Sequence, residues 1–299
     1  MKIKLYFLTL FFILTSCLYS QFDKPVLQLG IGIVEPMDDL KGTYYRNVYD
    51  NVNGLPLIAP NTDLYSNNYG AKTGLYFFGK GKINFDKYNI LRAVGSISFS
   101  TFNTFESSKN GNIERVVHID TNTYIYPVAT TFNYTFNAFS FALGLEIAPF
   151  AFTNVITPFF GANMSFNSFT TKLSRTGNGI DTISFSSSGF RIGFNFDAGI
   201  EAKFTKNMGM VLGVKYDLGN VLLKNTYSGI NEAYDWGTTN ASLNDDEEQY
   251  FTSIQNPLIS SDLYLVNAKK KSINWGTIYL GVNIYFDTHK TTKKKTERK

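Results

Sequence analysis

The sequence predicts an all-β fold: a closed, antiparallel, up-and-down transmembrane β-barrel with short periplasmic turns and long extracellular loops. The first observation is a strict period-two alternation from Ser188 to Asp217, the mark of a strand whose two faces meet different surroundings. Phe190, Ile192, Phe194, Phe196, Ala198, Ile200, Ala202 and Phe204 form one row. Arg191, Gly193, Asn195, Asp197, Gly199, Glu201 and Lys203 form the other. After the turn Thr205-Lys206-Asn207 the pattern resumes, with Met208, Met210, Leu212, Val214 and Tyr216 opposed to Gly209, Val211, Gly213, Lys215 and Asp217. The second observation is that these apolar rows are too long and too aromatic for an exposed sheet, so lipid is the partner they require. The third is that no apolar run after the leader approaches the ~20 residues of a membrane helix. A soluble β-sandwich is the competing fold, but the polar loops offer too little surface to cover these rows.

The two ends set the domain organisation. Residues 1–20 read as a secretory signal peptide, with Lys2 and Lys4 ahead of the apolar stretch Leu5–Leu14. Cleavage after Ser20 leaves Gln21 first. Leu14-Thr15-Ser16-Cys17 also resembles a lipobox, which would make Cys17 a lipidated first residue. Ordinary cleavage is preferred, because a barrel needs no separate anchor. Cys17 is the only cysteine, which excludes an intrachain disulfide or thiolate metal site in one chain. The barrel is expected over 21–287, followed by a basic, solvated tail over 288–299. The net charge of +4 is concentrated in that tail, where Lys290, Lys293, Lys294, Lys295, Arg298 and Lys299 face only Glu297. A basic cluster confined to the end of an exported chain argues against nucleic-acid binding.

Taken in order, Val26–Val34 is the first strand, with Leu27, Leu29, Ile31 and Ile33 opposed to Gln28, Gly30 and Gly32. Glu35–Asn68 is a long loop rich in turn formers. Tyr69–Phe85 alternates again, with Leu75, Phe77, Ile83 and Phe85 against Lys72, Gly74, Tyr76, Lys80 and Lys82. After the short turn Asp86–Asn89, the row Leu91, Ala93, Gly95, Ile97 and Phe99 opposes Arg92, Val94, Ser96, Ser98 and Ser100. A loop is expected around Ser107–Gly111. From Thr121 to Phe150 the pattern breaks: the row from Tyr124 to Phe136 restarts at Phe139 with opposite parity. That implies a hairpin at Asn137-Ala138 or a bulge in one very long strand. Pro158–Ser168 is a further strand, Ser174–Asp181 a loop, Asn225–Lys270 a long polar excursion, and Trp275–Phe286 the closing strand. Counting a hairpin gives nine strands. Bacterial single-chain barrels use even numbers, so eight is preferred and ten remains open.

The leader, Ile156-Thr157-Pro158-Phe159-Phe160-Gly161-Ala162, Gly193–Glu201, Gly213-Val214-Lys215-Tyr216 and Tyr279–Phe286 together resemble small outer-membrane β-barrel proteins of Bacteroidota-type bacteria. The likeness lies in pattern and short phrases over most of the mature chain. It implies the fold and the outer membrane of a Gram-negative cell as location, and it carries no single activity. Unlike many barrels, this chain continues past its terminal aromatic, Phe286, into the basic tail.

Lys72, Arg92, Glu146, Arg191, Asp197, Glu201, Lys203, Lys215 and Asp217 are expected to face the lumen as a compensating polar network. An eight-stranded barrel is only just wide enough for side chains, and buried charges there must be paired. A narrow small-solute conduit is the alternative reading of the same residues. The loop around Tyr234, Trp236, Asp245, Asp246, Glu247 and Glu248 is the expected extracellular contact surface. Its acidic run lacks the spacing of a Ca²⁺ loop and reads as a solvated face. No cofactor or metal site is expected. His118 and His289 are the only histidines; His118 lies two residues before Asp120, and a lipid-modifying enzyme would need a serine from a neighbouring strand beside it. The expected role is therefore structural or surface-interacting and non-enzymatic. Expected partners are outer-membrane lipid and lipopolysaccharide, with an extracellular ligand or protein at the loops, and the chain is expected to be monomeric.

Overall fold

The computed structural model describes residues 25–42, 50–52, 55–57, 68–84, 90–104, 111–119, 122–149, 155–177, 180–225, 243–256 and 260–286. The strands are β1 (Val26–Met37), β2 (Asp50–Val52), β3 (Leu55–Leu57), β4 (Lys72–Asn84), β5 (Leu91–Asn103) and β6 (Gly111–Ile119). They continue as β7 (Asn122–Ile147), β8 (Ile156–Gly177), β9 (Ile180–Lys203), β10 (Met208–Leu222), β11 (Glu248–Asn256), β12 (Ser260–Ala268) and β13 (Asn274–Tyr285). The main sheet runs β5-β4-β1-β13-β10-β9-β8-β7, and β5 pairs with β7 to close it. The result is an eight-stranded antiparallel barrel. β6 lies outside the ring and pairs with the far end of β7, from Gly111↔Thr130 to Ile119↔Asn122. The first and last strands of the ring, β1 and β13, pair with each other, from Val26↔Tyr285 to Met37↔Asn274.

The barrel is inside out. Ile31, Leu212 and Ile278 are 62%, 57% and 63% exposed, whereas Arg92 and Asp217 are 1% and 0% exposed. Period-two side chains on a closed sheet must divide this way. The exposed belt includes Ile33, Leu75, Phe99, Phe139, Phe160, Phe190 and Leu280. Along its outer edge Phe141 stacks on Phe166, and Phe166 on Phe190, with ring centroids 6.2 and 6.5 Å apart. At the opposite end, the tight β9–β10 turn is held by Thr205, whose hydroxyl accepts from Met208 N at 2.9 Å.

The parity change in β7 has a different cause from either expectation. β7 is one strand, and its register against both β5 and β8 is unbroken through Asn137 and Ala138. There is no hairpin and no bulge. Tyr134, Phe136 and Ala138 point inward and are buried, while Phe139, Phe141, Leu143, Leu145 and Ile147 point outward and are exposed. The backbone keeps its pleat; the apolar residues move from the inner face to the outer one.

Other loop boundaries also shift. The expected loop Ser174–Asp181 is mostly strand, because β8 reaches Gly177 and β9 starts at Ile180. β6 begins at Gly111, where a loop was expected, and the excursion Asn225–Lys270 contains the β11–β12 hairpin. Turn-forming composition identified the reversals but not how far the strands run before them. The leader with Cys17, the tail, the turn Asp86–Asn89, Tyr234 and Trp236 lie outside the described residues.

Candidate functional site

The lumen inside the belt is filled by one connected charge network. Lys80 and Lys82 come from β4, Arg92 from β5, Glu146 from β7, and Asp197 and Glu201 from β9. Lys82 Nζ lies 2.6 Å from Glu201 Oε1 and 3.0 Å from Glu146 Oε2. Arg92 Nη1 lies 3.0 Å from Glu201 Oε2 and 3.3 Å from Glu146 Oε1. Lys80 bonds Asp197, and the Tyr279 hydroxyl reaches the same carboxylate at 3.5 Å. Above them Lys215 pairs with Asp217 at 2.9 Å and sits 5.2 Å from the Tyr76 ring centre. Lys80, Lys82, Arg92 and Lys215 are thus matched by Glu146, Asp197, Glu201 and Asp217. Ions taken out of water persist only with such partners. The aromatic ring of Phe159 fills the gap beside Lys82, 4.5 Å from its Nζ. Gly199 and Gly213 leave the room that Phe159 and Tyr279 occupy, since a Cβ at either position would collide with those rings.

The mouth above the belt is closed by different chemistry. Phe102 packs edge-on against Phe136 and Trp275, at 5.8 and 6.0 Å between ring centres. Phe169 touches both as well, at 5.7 Å from Phe136 and 6.1 Å from Trp275. Tyr69, from the β3–β4 connection, adds a fifth ring 5.6 Å from Phe136. Leu40, Leu243 and Ile273 join the same buried cluster.

Two connections are latched over this plug. Arg191, on β9, grips Asp245 with Nε–Oδ2 at 2.8 Å and Nη2–Oδ1 at 2.6 Å, a fork that matches carboxylate geometry. The Asn220 amide donates to Asp245 at 2.8 Å, and Asn225 N donates at 3.0 Å. Burial opposes ionisation of Asp245, but these donors outweigh it and hold the carboxyl below its ordinary range. On the other side, Asp39 accepts from Lys269 at 2.9 Å and from Ser272 N at 3.0 Å. The Tyr69 hydroxyl donates to Leu243 O. Lys271 donates to the carbonyls of Asn244 and Lys269. Burial pushes its ammonium down to about 8, with Asp245 and Asp39 pulling the other way.

Arg92, Glu146, Asp197, Glu201, Lys215 and Asp217 all lie in the belt-level interior. Arg191 lies higher, at the mouth, and Lys203 sits half-buried with its Nζ 4.9 Å from the Tyr285 ring centre. Lys72 is a correction: it is exposed on the outside wall. The β4–β5 register shifts between Lys72 and Gly74, so parity counted across that point assigns Lys72 to the wrong face. Lys80 and Lys82, central to the network, were on the polar row yet absent from the expected set; parity counted from Tyr76 places both inward. Asp245 is also corrected, from a solvated acidic run to a fully buried latch. Asp246 is half-buried and Glu247 exposed, and Glu248 opens β11. His118 lies on β6 opposite Thr123. Among the described residues no group of acidic, histidine or cysteine side chains could hold a metal ion.

No protein-family model matches the chain, and no curated protein matches it. Solved structures similar to it include Neisserial surface protein A, at 11% identity over 89% of this chain and 98% of that one, with a TM-score of 0.37. Another is the attachment invasion locus protein Ail of Yersinia pestis, at 10% identity over 88% and 99%, with a TM-score of 0.36. A third is the outer membrane protein OprG of Pseudomonas aeruginosa, at 10% identity over 89% and 97%, with a TM-score of 0.44. The exposed apolar belt and the buried polar interior, rather than these likenesses, carry the placement in a membrane. A closed eight-stranded inside-out barrel with a short turn at the end where β1 starts and β13 finishes is a Gram-negative outer-membrane barrel.

Proposed function

We propose that this barrel is a non-conducting, non-enzymatic surface protein of the Bacteroidota kind its motifs resemble, which acts through its extracellular end. The observation that carries this reading is the double filling of the lumen: a neutralised ion network at belt level and an aromatic plug with latched connections above it. A solute would have to displace both. Meanwhile β7, β8 and β9 rise beyond the belt, and their outer faces change from Phe139, Phe166 and Phe190 to Thr135, Lys172 and Ser186. This raised sheet, with β6 and the β11–β12 hairpin, is the surface offered to an extracellular ligand or protein.

The test is adhesion of cells displaying the intact protein to matrix-protein, mucin and bare surfaces, against cells displaying a chain lacking 226–242. That cut removes Tyr234 and Trp236 while sparing Leu243–Asp245, so the latch survives. Loss of adhesion to one surface is expected. Unchanged adhesion on all three would count against the β10–β11 connection as the contact surface. A hydrolytic activity lost on His118→Ala would overturn the non-enzymatic part.

A further inference from the structure

We propose that the outer wall just above the lipid belt, on the β4–β9 side, binds the phosphorylated sugar headgroup of a glycolipid in the outer leaflet, with Lys72 and Lys172 as the phosphate contacts. This deepens the surface reading by naming a lipid ligand, and it rests on the barrel being in the outer membrane rather than on any loop partner.

The argument starts from register. Lys72 lies opposite Asn103. Phe102 pairs with Phe136, which sets Asn103 beside Thr135. Thr135 pairs with Lys172, and Lys172 with Ser186. Lys72, Asn103, Thr135, Lys172 and Ser186 therefore form one outward row across five neighbouring strands, and all are exposed. One step nearer the membrane, Thr101 pairs with Asn137, Asn137 with Thr170, and Thr170 with Ser188. From β5 to β9 that second row carries hydroxyls and an amide; its member on β4, paired with Thr101, is Leu75 of the apolar belt. One step further down, Phe99 pairs with Phe139, the aromatic edge of the belt.

This stacking order is that of a glycolipid: acyl chains against Phe99 and Phe139, sugar hydroxyls against Thr101, Asn137 and Thr170, and phosphates against the lysines. Three strand spacings separate Lys72 from Lys172, about 14 Å, a span that two phosphates on one sugar headgroup can address with flexible ammonium arms. Charge favours the same occupant. Among the described residues neither lysine has an ion pair, unlike Lys41 and Lys269, which have Glu35 and Asp39. Glu35, which bonds the residue after Lys72, is already engaged by Lys41 and the Thr73 hydroxyl. The shift at Lys72/Gly74 that turns Lys72 out of the lumen is what completes the row.

The experiment titrates detergent-folded full-length protein with fluorescent bis-phosphorylated lipid A and with its dephosphorylated form. The parent should prefer the phosphorylated lipid. Lys72→Gln and Lys172→Gln should each weaken binding roughly fivefold, and the pair about twenty-five-fold, from the usual contribution of a lysine near an anionic lipid surface. Lys72→Arg with Lys172→Arg should retain binding, and Ser186→Lys should tighten it by roughly fivefold. Inorganic phosphate at matched phosphorus concentration should not compete. Equal binding of the two lipids, undiminished binding by the glutamine pair, or no tightening in Ser186→Lys would overturn the proposal. Full competition by inorganic phosphate would also overturn it, by showing a site for free phosphate. A loop-trimmed chain that loses adhesion yet binds lipid A normally would separate this site from the loop surface.

Discussion

The lower lumen and the mouth are filled by opposite chemistries. At belt level, where the outer wall meets lipid, the inside holds Lys82, Arg92, Glu146 and Glu201. Above the belt, where the outer wall carries Thr135, Lys172 and Ser186, the inside holds Phe102, Phe136, Phe169 and Trp275. A pleated strand has one face to give to hydrocarbon. In the membrane that face is the outside, because lipid takes it; in water it is the inside, because only a packed core can take it. β7 crosses from one regime to the other between Ala138 and Phe139 without any change in backbone. The parity flip thus marks the membrane boundary.

Several substitutions would break or sharpen this comparison. The largest loss is expected from Glu201→Leu in the lower lumen. It strips Lys82 and Arg92 of a shared counter-ion and should cost about 3–5 kcal/mol, read by urea unfolding of the barrel in detergent. Phe136→Ala in the mouth should cost about 3–4 kcal/mol by opening a cavity among four rings; it should also raise protease cleavage in the connections latched above. Leu143→Arg, facing lipid at mid-belt, should cost about 2–4 kcal/mol, whereas Thr135→Arg, on the same face but above the boundary, should be near neutral. If these two matched, the boundary would be misplaced.

The smallest expected effect is a pH response confined to the mouth. The folded pKa of Lys271 lies below its ordinary value, so burying the ammonium costs stability that is recovered as pH rises through about 8 towards 10.5. Proteolysis of the β10–β13 connection should slow between about pH 7 and about pH 10, and the response should vanish in Lys271→Met. Asp245 has the same sense in a more acidic window: its lowered pKa makes the latch fully stable above the ordinary carboxylate range and weaker as pH falls below it.

The belt was legible in the sequence because lipid imposes one rule on every strand. Phe190–Phe204 and Ile278–Phe286 could face only one way, and the even strand number then removed the ninth strand. The mouth was not legible, since aromatic residues on β7 read the same whether they face lipid or a core. Nor could spacing place Asp245 against Arg191, 54 residues away, since a latch between a strand and a connection leaves no periodic trace. Lys72 was misassigned for a third reason: a single extra residue in a strand inverts the parity of everything before it.

The most direct test is a spin-label scan of β7 from Tyr134 to Ile147, one cysteine at a time with Cys17 replaced, in lipid bilayers. Collision with oxygen in the hydrocarbon and with a water-soluble nickel chelate reports what each position faces. Oxygen contact should be high at Phe139, Phe141, Leu143 and Leu145, nickel contact high at Thr135, and both low at Phe136 and Ala138. Oxygen contact at Phe136, or an alternation that reverses phase at Ala138 as a bulge would require, would contradict a single straight strand that exchanges its apolar face at the membrane boundary.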